Sequence, residues 1–291
     1  MQRQGDISRI TGRPVIHRDT STLSPAKYLP LLKLIRDATF ISRLQLELLI
    51  AGQTKKTTYG CRNRRLSHLV ELGLIQVYPE CFSYPGRVFG ITPRGMKILE
   101  LAGLGKFRGS AYREAQANVG QMPRFLKLNE IEIAAREAFN VLRCVRAREL
   151  RSLNRASRRP TRKAYDSIAV ITGAPNSSAQ SYLGIQYERT IKSKARYAQI
   201  RKNLEAESQI HGLLYFVDSE KAAAFISGEV YSATVPVGVV IASQFQSDGA
   251  DATLRVLDGL SVVRAMAGLI AHPLCDLLSE FDQTNAPIAD S

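Results

Sequence analysis

Acidic side chains are scarce in this 291-residue sequence, which has 40 Lys and Arg against 26 Asp and Glu and a formal charge of +14. An apolar run of about 18 residues, the length that can cross a bilayer, is also absent. The first residues, MQRQGDISRITGRP, lack the apolar core of a signal peptide. We therefore expect neither membrane insertion nor secretion, and predict a cytoplasmic protein without a membrane partner.

Several metal and nucleotide motifs are missing as well. The four cysteines are far apart and form no CxxC pair, so neither a zinc ribbon nor a redox pair is indicated. The four histidines are isolated, whereas the metal site of a relaxase needs clustered histidines. The segment GLGKF at 103–107 lacks the rest of GxxxxGK[ST], which argues against an ATPase. No cofactor is expected from these motifs.

The positive charge that is present is concentrated in the first two-thirds of the chain. Residues 212–291 hold 3 basic and 10 acidic side chains, so residues 1–211 hold 37 basic and 16 acidic ones. A basic surface attracts polyanions because each neutralised phosphate releases a counterion. We therefore predict that double-stranded DNA is a partner.

The order of patterns in the first third predicts a DNA-binding domain at 26–105, after a flexible basic arm at 1–25. Helical spacing of apolar residues from 28 to 49 predicts two short helices with a break near 37–40. The segment YGCRNRRLSHLVELGLI predicts a third helix with arginines in its N-terminal half. Two β-like runs, LIQVYPE and RVFGIT, and a helix from Pro93 follow. This order predicts a winged helix-turn-helix with the basic helix in the major groove.

The segments RRLSHLVELGLI and FGITPRGMKIL also resemble the pattern of many bacterial winged-helix regulators. The shared features are an Arg-rich helix, a Leu-Gly-Leu turn, a wing and a Thr-x-x-Gly helix. The alternative is an amphipathic helix whose arginines are only solvated. On the winged-helix interpretation the DNA contacts of this domain are Lys55, Lys56, Thr58, Tyr59, Arg62, Asn63, Arg64, Arg65 and Arg87.

The remaining chain predicts a linker at 106–122, a mixed α/β domain at 123–282 and a disordered tail at 283–291. Helical periodicity extends from 122 to about 142, and a strongly basic run follows. This run is either a solvated face, a mobile loop or a loop that follows phosphates. Its candidate DNA contacts are Arg155, Arg158, Arg159, Arg162 and Lys163. Strands are predicted at AYDSIAVI, YLGIQYE, GLLYFVD and VPVGVVIAS, with helices from about 191, at SEKAAAFIS and through VVRAMAGLIAHPLCDLLSEF.

The order of these elements resembles the restriction-endonuclease-like fold, which carries the PD-(D/E)xK motif. The resemblance implies that Asp166 and Glu188 are Mg²⁺ ligands, that Lys192 or Lys194 supplies the amine, and that Glu130 or Glu132 is an accessory acid. The sequence departs from the active motif, because Thr190 occupies the usual lysine position and no proline precedes Asp166. A different interpretation is that Glu188 caps a helix dipole and pairs with Lys192 four residues on. Lys194 is also a candidate DNA contact, and Mg²⁺ is expected only if the nuclease is active.

Three segments, RRLSHLVELGLI, RFLKLNEIEIAAREA and YERTIKSKARY, together look like the replication-relaxation type of plasmid protein and accessory factors of conjugative mobilisation. The resemblance covers roughly residues 30 to 215. It implies an α+β protein that binds a transfer or replication origin, alone or as a homodimer, beside a relaxase or another relaxosome protein, with a non-catalytic second domain. The alternatives are a winged-helix transcriptional regulator and a Mg²⁺-dependent nuclease that uses Asp166 and Glu188.

Overall fold

The computed structural model describes residues 25–51, 59–78, 86–104, 119–139, 141–157, 160–172, 180–232, 234–249 and 252. The chain is α+β, as predicted, with helices arranged around a three-stranded and a five-stranded sheet. The predicted basic arm, C-terminal apolar helix and tail lie almost entirely outside the described residues. Within the described part, no helix is both long and apolar enough to cross a membrane.

The first part of the chain confirms the two short helices, the third helix and the hairpin. Its strand order is β1-β3-β2, and both pairings are antiparallel. Apolar side chains from all of its helices form one core, in which Leu32, Ile35 and Leu69 are fully buried. Its elements are α1 (Pro25–Ala38), β1 (Ile41–Ser42), α2 (Arg43–Ala51), α3 (Tyr59–Glu71), β2 (Ile75–Tyr78), β3 (Val88–Ile91) and α4 (Pro93–Leu101).

Two local signals fix how α3 and α4 meet. Gly73 has a φ of 65° and ends α3, and the amide of Leu74 then bonds back to the carbonyl of Leu69. Thr92 caps α4 by accepting a hydrogen bond from the amide of Gly95, and its hydroxyl donates to the carbonyl of Gly73. A Cβ at Gly95 would lie 2.2 Å from the carbonyl oxygen of Leu74. In the Thr-x-x-Gly pattern, Thr92 is therefore the N-cap of α4, and Gly95 lies where the backbone of Leu74 leaves no room for a side chain.

The second part is built on a mixed sheet with the order β4-β5-β6-β7-β8. The pairs β4–β5 and β5–β6 are antiparallel, whereas β6–β7 and β7–β8 are parallel. Apolar clusters cover both faces of the sheet, as near-continuous buried strands require. Its elements are α5 (Met122–Ala138), β4 (Val141–Arg146), α6 (Ala147–Ala156), β5 (Ser167–Thr172), β6 (Gln180–Glu188), α7 (Lys194–Glu205), β7 (Gly212–Val217), α8 (Glu220–Glu229), β8 (Val237–Ile241) and α9 (Ala242–Asp248).

Several predicted boundaries in this part were wrong. Helical periodicity suggested a helix to about residue 142, but α5 ends at Ala138 and an edge strand, β4, begins at Val141 because β5 supplies its pairing partner. The basic run contains α6, so it is not simply a loop. Helix α7 begins at Lys194, because the Ser193 side chain accepts a hydrogen bond from the Arg196 amide and sets the N-cap there.

Helix α5 joins the two parts through a buried polar network. The side-chain amide of Asn129 donates to the Phe40 carbonyl at 2.7 Å and to Gln45 Oε1 at 3.1 Å. Arg146 Nη1 donates to Asn129 Oδ1 at 2.8 Å and to the carbonyl of Asp37 at 3.1 Å. These bonds hold the first part against β4, an edge strand of the five-stranded sheet.

Candidate nucleic-acid interface

Helix α3 presents arginine on its exposed side and leucine on its buried side. Leu66 and Leu69 point into the core, whereas Arg64 is exposed and Arg65 is half-buried. This division follows the helical spacing of the apolar residues. Arg87 is exposed immediately before β3, at the end of the loop that connects β2 to β3. Positive side chains are therefore available on both elements that the sequence assigned to DNA.

Several other predicted DNA contacts have side chains that the structure does not describe. Lys55, Lys56, Thr58, Arg158 and Arg159 lie outside the described residues. The backbones of Tyr59, Arg62 and Asn63 belong to α3 and that of Arg155 to α6, but their side chains are not described.

A cleft of about 570 Å³ lies where the two parts meet, between α5, α6, the ends of β5 and β6, and α7. Its charged lining is dominated by cations, with seven basic side chains and three carboxylates. The basic ones are Arg124, Arg146, Arg148, Arg151, Lys163, Lys192 and Arg196, and the acidic ones are Asp37, Glu132 and Asp166. Positive charge therefore exceeds negative charge along the lining of this cleft.

Asp166 lies at the start of β5 and is held by three donors. Arg124 Nη2 lies 2.5 Å from Asp166 Oδ1, while Gln186 Nε2 and the amide of Tyr187 each lie 2.8 Å from Oδ2. The pairing of Ser167 with Ile185 places Asp166 opposite Gln186. Gln186, and not Glu188, is therefore the residue of β6 that faces Asp166.

Glu188 ends β6 and forms an ion pair with Lys192. Lys192 Nζ lies 2.5 Å from Glu188 Oε2, and the side chain of Glu188 is only 7% exposed. This pair confirms the i,i+4 interaction with Lys192 that was the alternative interpretation of Glu188. The other half of that interpretation, a charge at a helix N-terminus, is wrong, because α7 begins only at Lys194. The amine of Lys192, which was predicted to be catalytic, therefore forms its ion pair with a carboxylate four residues earlier in the chain.

Lys163 is the amine that the structure brings next to Gln186. Its Nζ donates to Gln186 Oε1 at 2.6 Å and lies 4.5 Å from the centre of the Tyr165 ring and 5.2 Å from that of Tyr215. The side chain is 6% exposed, which contradicts its prediction as part of a solvated face or mobile loop. Burial is the main reason that the pKa of Lys163 is lowered from 10.5 to about 7, with the positive charge of Lys192 acting in the same direction.

The two candidate accessory acids differ in position. Glu132 lines the cleft, is buried, and lies 2.5 Å from Arg146 Nη2. Glu130 instead accepts a hydrogen bond from Gln246 on α9 and pairs with Lys127. Helical geometry separates the two carboxylates, because residues two apart lie on different faces.

The remaining predicted contacts, Arg162 and Lys194, are exposed but lie apart from the cleft lining. The amide of Arg162 donates to Glu207, and Lys194 Nζ lies 3.5 Å from a Glu229 oxygen. Sequence reasoning missed Gln186 and Arg124, although period-two alternation along β6 places Gln186 on the same face as Glu188.

The donor set fits a divalent cation poorly. Mg²⁺ needs oxygen ligands, but the Asp166 oxygens accept bonds from Arg124, Gln186 and the Tyr187 amide, and Glu188 accepts one from Lys192. No group of three or more His, Cys, Asp or Glu that could hold a metal ion occurs among the described residues.

No protein-family model, curated protein or solved structure matches this chain. The resemblance to replication-relaxation proteins accordingly stays a prediction from the three quoted segments.

Proposed function

We propose that this protein is a sequence-specific binder of double-stranded DNA that acts as an accessory factor in the mobilisation of a plasmid or integrative element. In this proposal the first part is a winged helix and the second part is a non-catalytic, endonuclease-like domain. The observation that carries the proposal is the arginine-bearing surface of α3 beside a three-stranded sheet with an arginine at the hairpin.

The support for a winged helix comes from the order and pairing of the elements. Three helices precede the hairpin, and β1, between α1 and α2, joins the sheet beside β3. In helix-turn-helix proteins the N-terminal residues of the recognition helix contact base edges. Arg64 and Arg65 lie in the first half of α3, where such contacts are made.

The support for a non-catalytic second domain is the pairing of its carboxylates with protein cations. Asp166 contacts Arg124, and Glu188 contacts Lys192. The Mg²⁺-dependent nuclease is the weaker proposal for this reason. Plasmid nicking in the presence of Mg²⁺ that disappears in Glu188→Ala would favour it again.

Arg64→Ala tests the DNA-binding proposal. A duplex selected from a random pool by the wild-type protein provides the specific probe, and an unselected duplex provides the comparison. We expect Arg64→Ala to weaken binding of the selected duplex by roughly 1 to 3 kcal/mol, the range for a bidentate contact to a base, and to affect the unselected duplex much less. Arg94→Ala removes an exposed arginine from α4 and is the matched control. Equal losses on both duplexes would refute the assignment of α3.

The mobilisation setting rests on the sequence resemblance and has its own test. A footprint of the protein near the nick site of a transfer origin is the expected result. A footprint confined to the promoter of its own gene would favour the transcriptional regulator instead.

A further inference from the structure

The cleft contains a buried amine whose hydrogen-bond acceptors are neutral. Lys163 Nζ donates to Gln186 Oε1 at 2.6 Å and lies 3.4 Å from the carbonyl of Ala164. The rings of Tyr165 and Tyr215 lie beneath it, and ring faces attract cations. A buried ammonium without a carboxylate at bonding distance is costly, so a group of this kind commonly belongs to a functional site.

The surroundings of this amine offer a ligand N–H donors and not carboxylate oxygens. Asp166 accepts three hydrogen bonds from the protein, and Glu132 is held by Arg146. The cleft as a whole keeps an excess of four positive charges over its three carboxylates. Arg124, Arg146 and Lys192 are themselves paired with carboxylates. Lys163 has only neutral acceptors, so an anion that enters would supply the negative charge that this amine lacks.

We propose that this cleft binds a backbone phosphate of a DNA strand through Lys163 and the surrounding arginines, without a divalent cation. The proposal deepens the proposed function and rests on it, since it assigns to DNA the anion that the cleft takes. It adds a second DNA contact that is separate from α3 and insensitive to base sequence, because phosphates carry no base identity.

A phosphodiester suits the cleft because it presents several acceptor oxygens to donors arriving from different directions. The cations come from separate segments: Arg124 on α5, Arg151 on α6, Lys163 ahead of β5 and Arg196 on α7. Arginine favours phosphate because its planar fork makes two parallel hydrogen bonds. The amine of the buried residue Lys163 contributes a point charge to the cleft lining.

The test uses the full chain and a fluorescent oligothymidylate at low ionic strength with EDTA. This single strand offers phosphates but no major groove for α3. We expect the wild-type protein to bind it, and Lys163→Met to weaken binding about tenfold or more, the effect of losing a charged hydrogen bond. Lys202→Met, which removes an exposed lysine of α7 outside the cleft, should cause little change.

Gln186→Glu tests the same site with nearly the same side-chain volume. The new carboxylate would lie against Lys163 and would also replace the amide that donates to Asp166, so it adds negative charge at both places. Binding of the phosphate should therefore weaken in EDTA by a similar factor or more. Circular dichroism establishes that each variant is folded.

Equal affinities of Lys163→Met and Lys202→Met, unchanged binding by Gln186→Glu, or loss of wild-type binding in EDTA that Mg²⁺ restores would each overturn the proposal. Failure of this site would leave the effect of Arg64→Ala on the selected duplex intact. Failure of the proposed function would instead appear as equal binding of selected and unselected duplexes.

Discussion

Replacement of Lys163 by methionine should change how the stability of the protein depends on pH. The amine has a pKa of about 7 in the folded chain and 10.5 as its ordinary value. Between these values the unfolded chain binds more protons than the folded one, so the free energy of unfolding of the wild type rises with pH. Below about pH 7 the amine is charged in both states, and its burial costs the fold most.

The magnitude follows from the two pKa values. One pKa unit corresponds to about 1.4 kcal/mol, so this single group should add roughly 2 kcal/mol to wild-type stability between about pH 7 and pH 9. Lys163→Met has no such group and should lack this gain. Near pH 7 it should be more stable than the wild type by about 1 to 3 kcal/mol, because the removed burial cost exceeds the loss of the one hydrogen bond that Lys163 donates to Gln186.

The groups around the amine decide how cleanly this gain can be measured. Asp166, Glu188 and Glu207 favour the charged amine, whereas Lys192 disfavours it. Urea unfolding of the wild type, Lys163→Met and Lys202→Met across this pH range isolates the contribution, since the Lys202 variant keeps the buried amine. Parallel pH profiles for the wild type and Lys163→Met would refute the reasoning, because the amine would then titrate alike in both states.

Two further substitutions, with one control variant, test the packing that positions these surfaces. Gly95→Ala should lower the free energy of unfolding by about 3 kcal/mol or more, because the new Cβ would lie 2.2 Å from the carbonyl oxygen of Leu74, a backbone atom. Gly228→Ala on α8 meets no atom within 4 Å and should instead be neutral or stabilising, so chemical denaturation of the pair checks the clash. Asn129→Ala should lower the free energy of unfolding by about 1 to 3 kcal/mol, since it removes the donor to the buried Phe40 carbonyl, whereas Arg146 keeps Glu132 and the Asp37 carbonyl; a change within about 0.5 kcal/mol would contradict the role given to this network.

Local patterns in the sequence were sufficient for much of the secondary structure of the first part. Apolar residues at helical spacing predicted the two short helices and the buried face of α3, and Pro93 predicted the start of α4. These elements depend on neighbours within a few residues: Thr92 caps its own helix, and Gly73 ends α3 through its own positive φ. The net charge and its concentration before residue 212 are likewise properties of the sequence alone.

The arrangement of the cleft was decided by contacts between distant residues. Asp166 and Glu188 appear paired when the sequence is read along the strands, but the register of Ser167 with Ile185 places Gln186 opposite the aspartate. Strand β4 exists because β5 offers it a hydrogen-bonding edge, which helical periodicity up to residue 142 concealed. Lys163 looked like one more solvated cation of a basic run, yet the rings of two tyrosines and the amide of Gln186 enclose it. Burial and strand register depend on the whole chain, so only the tertiary structure could show which of the many cations lie together in one cleft.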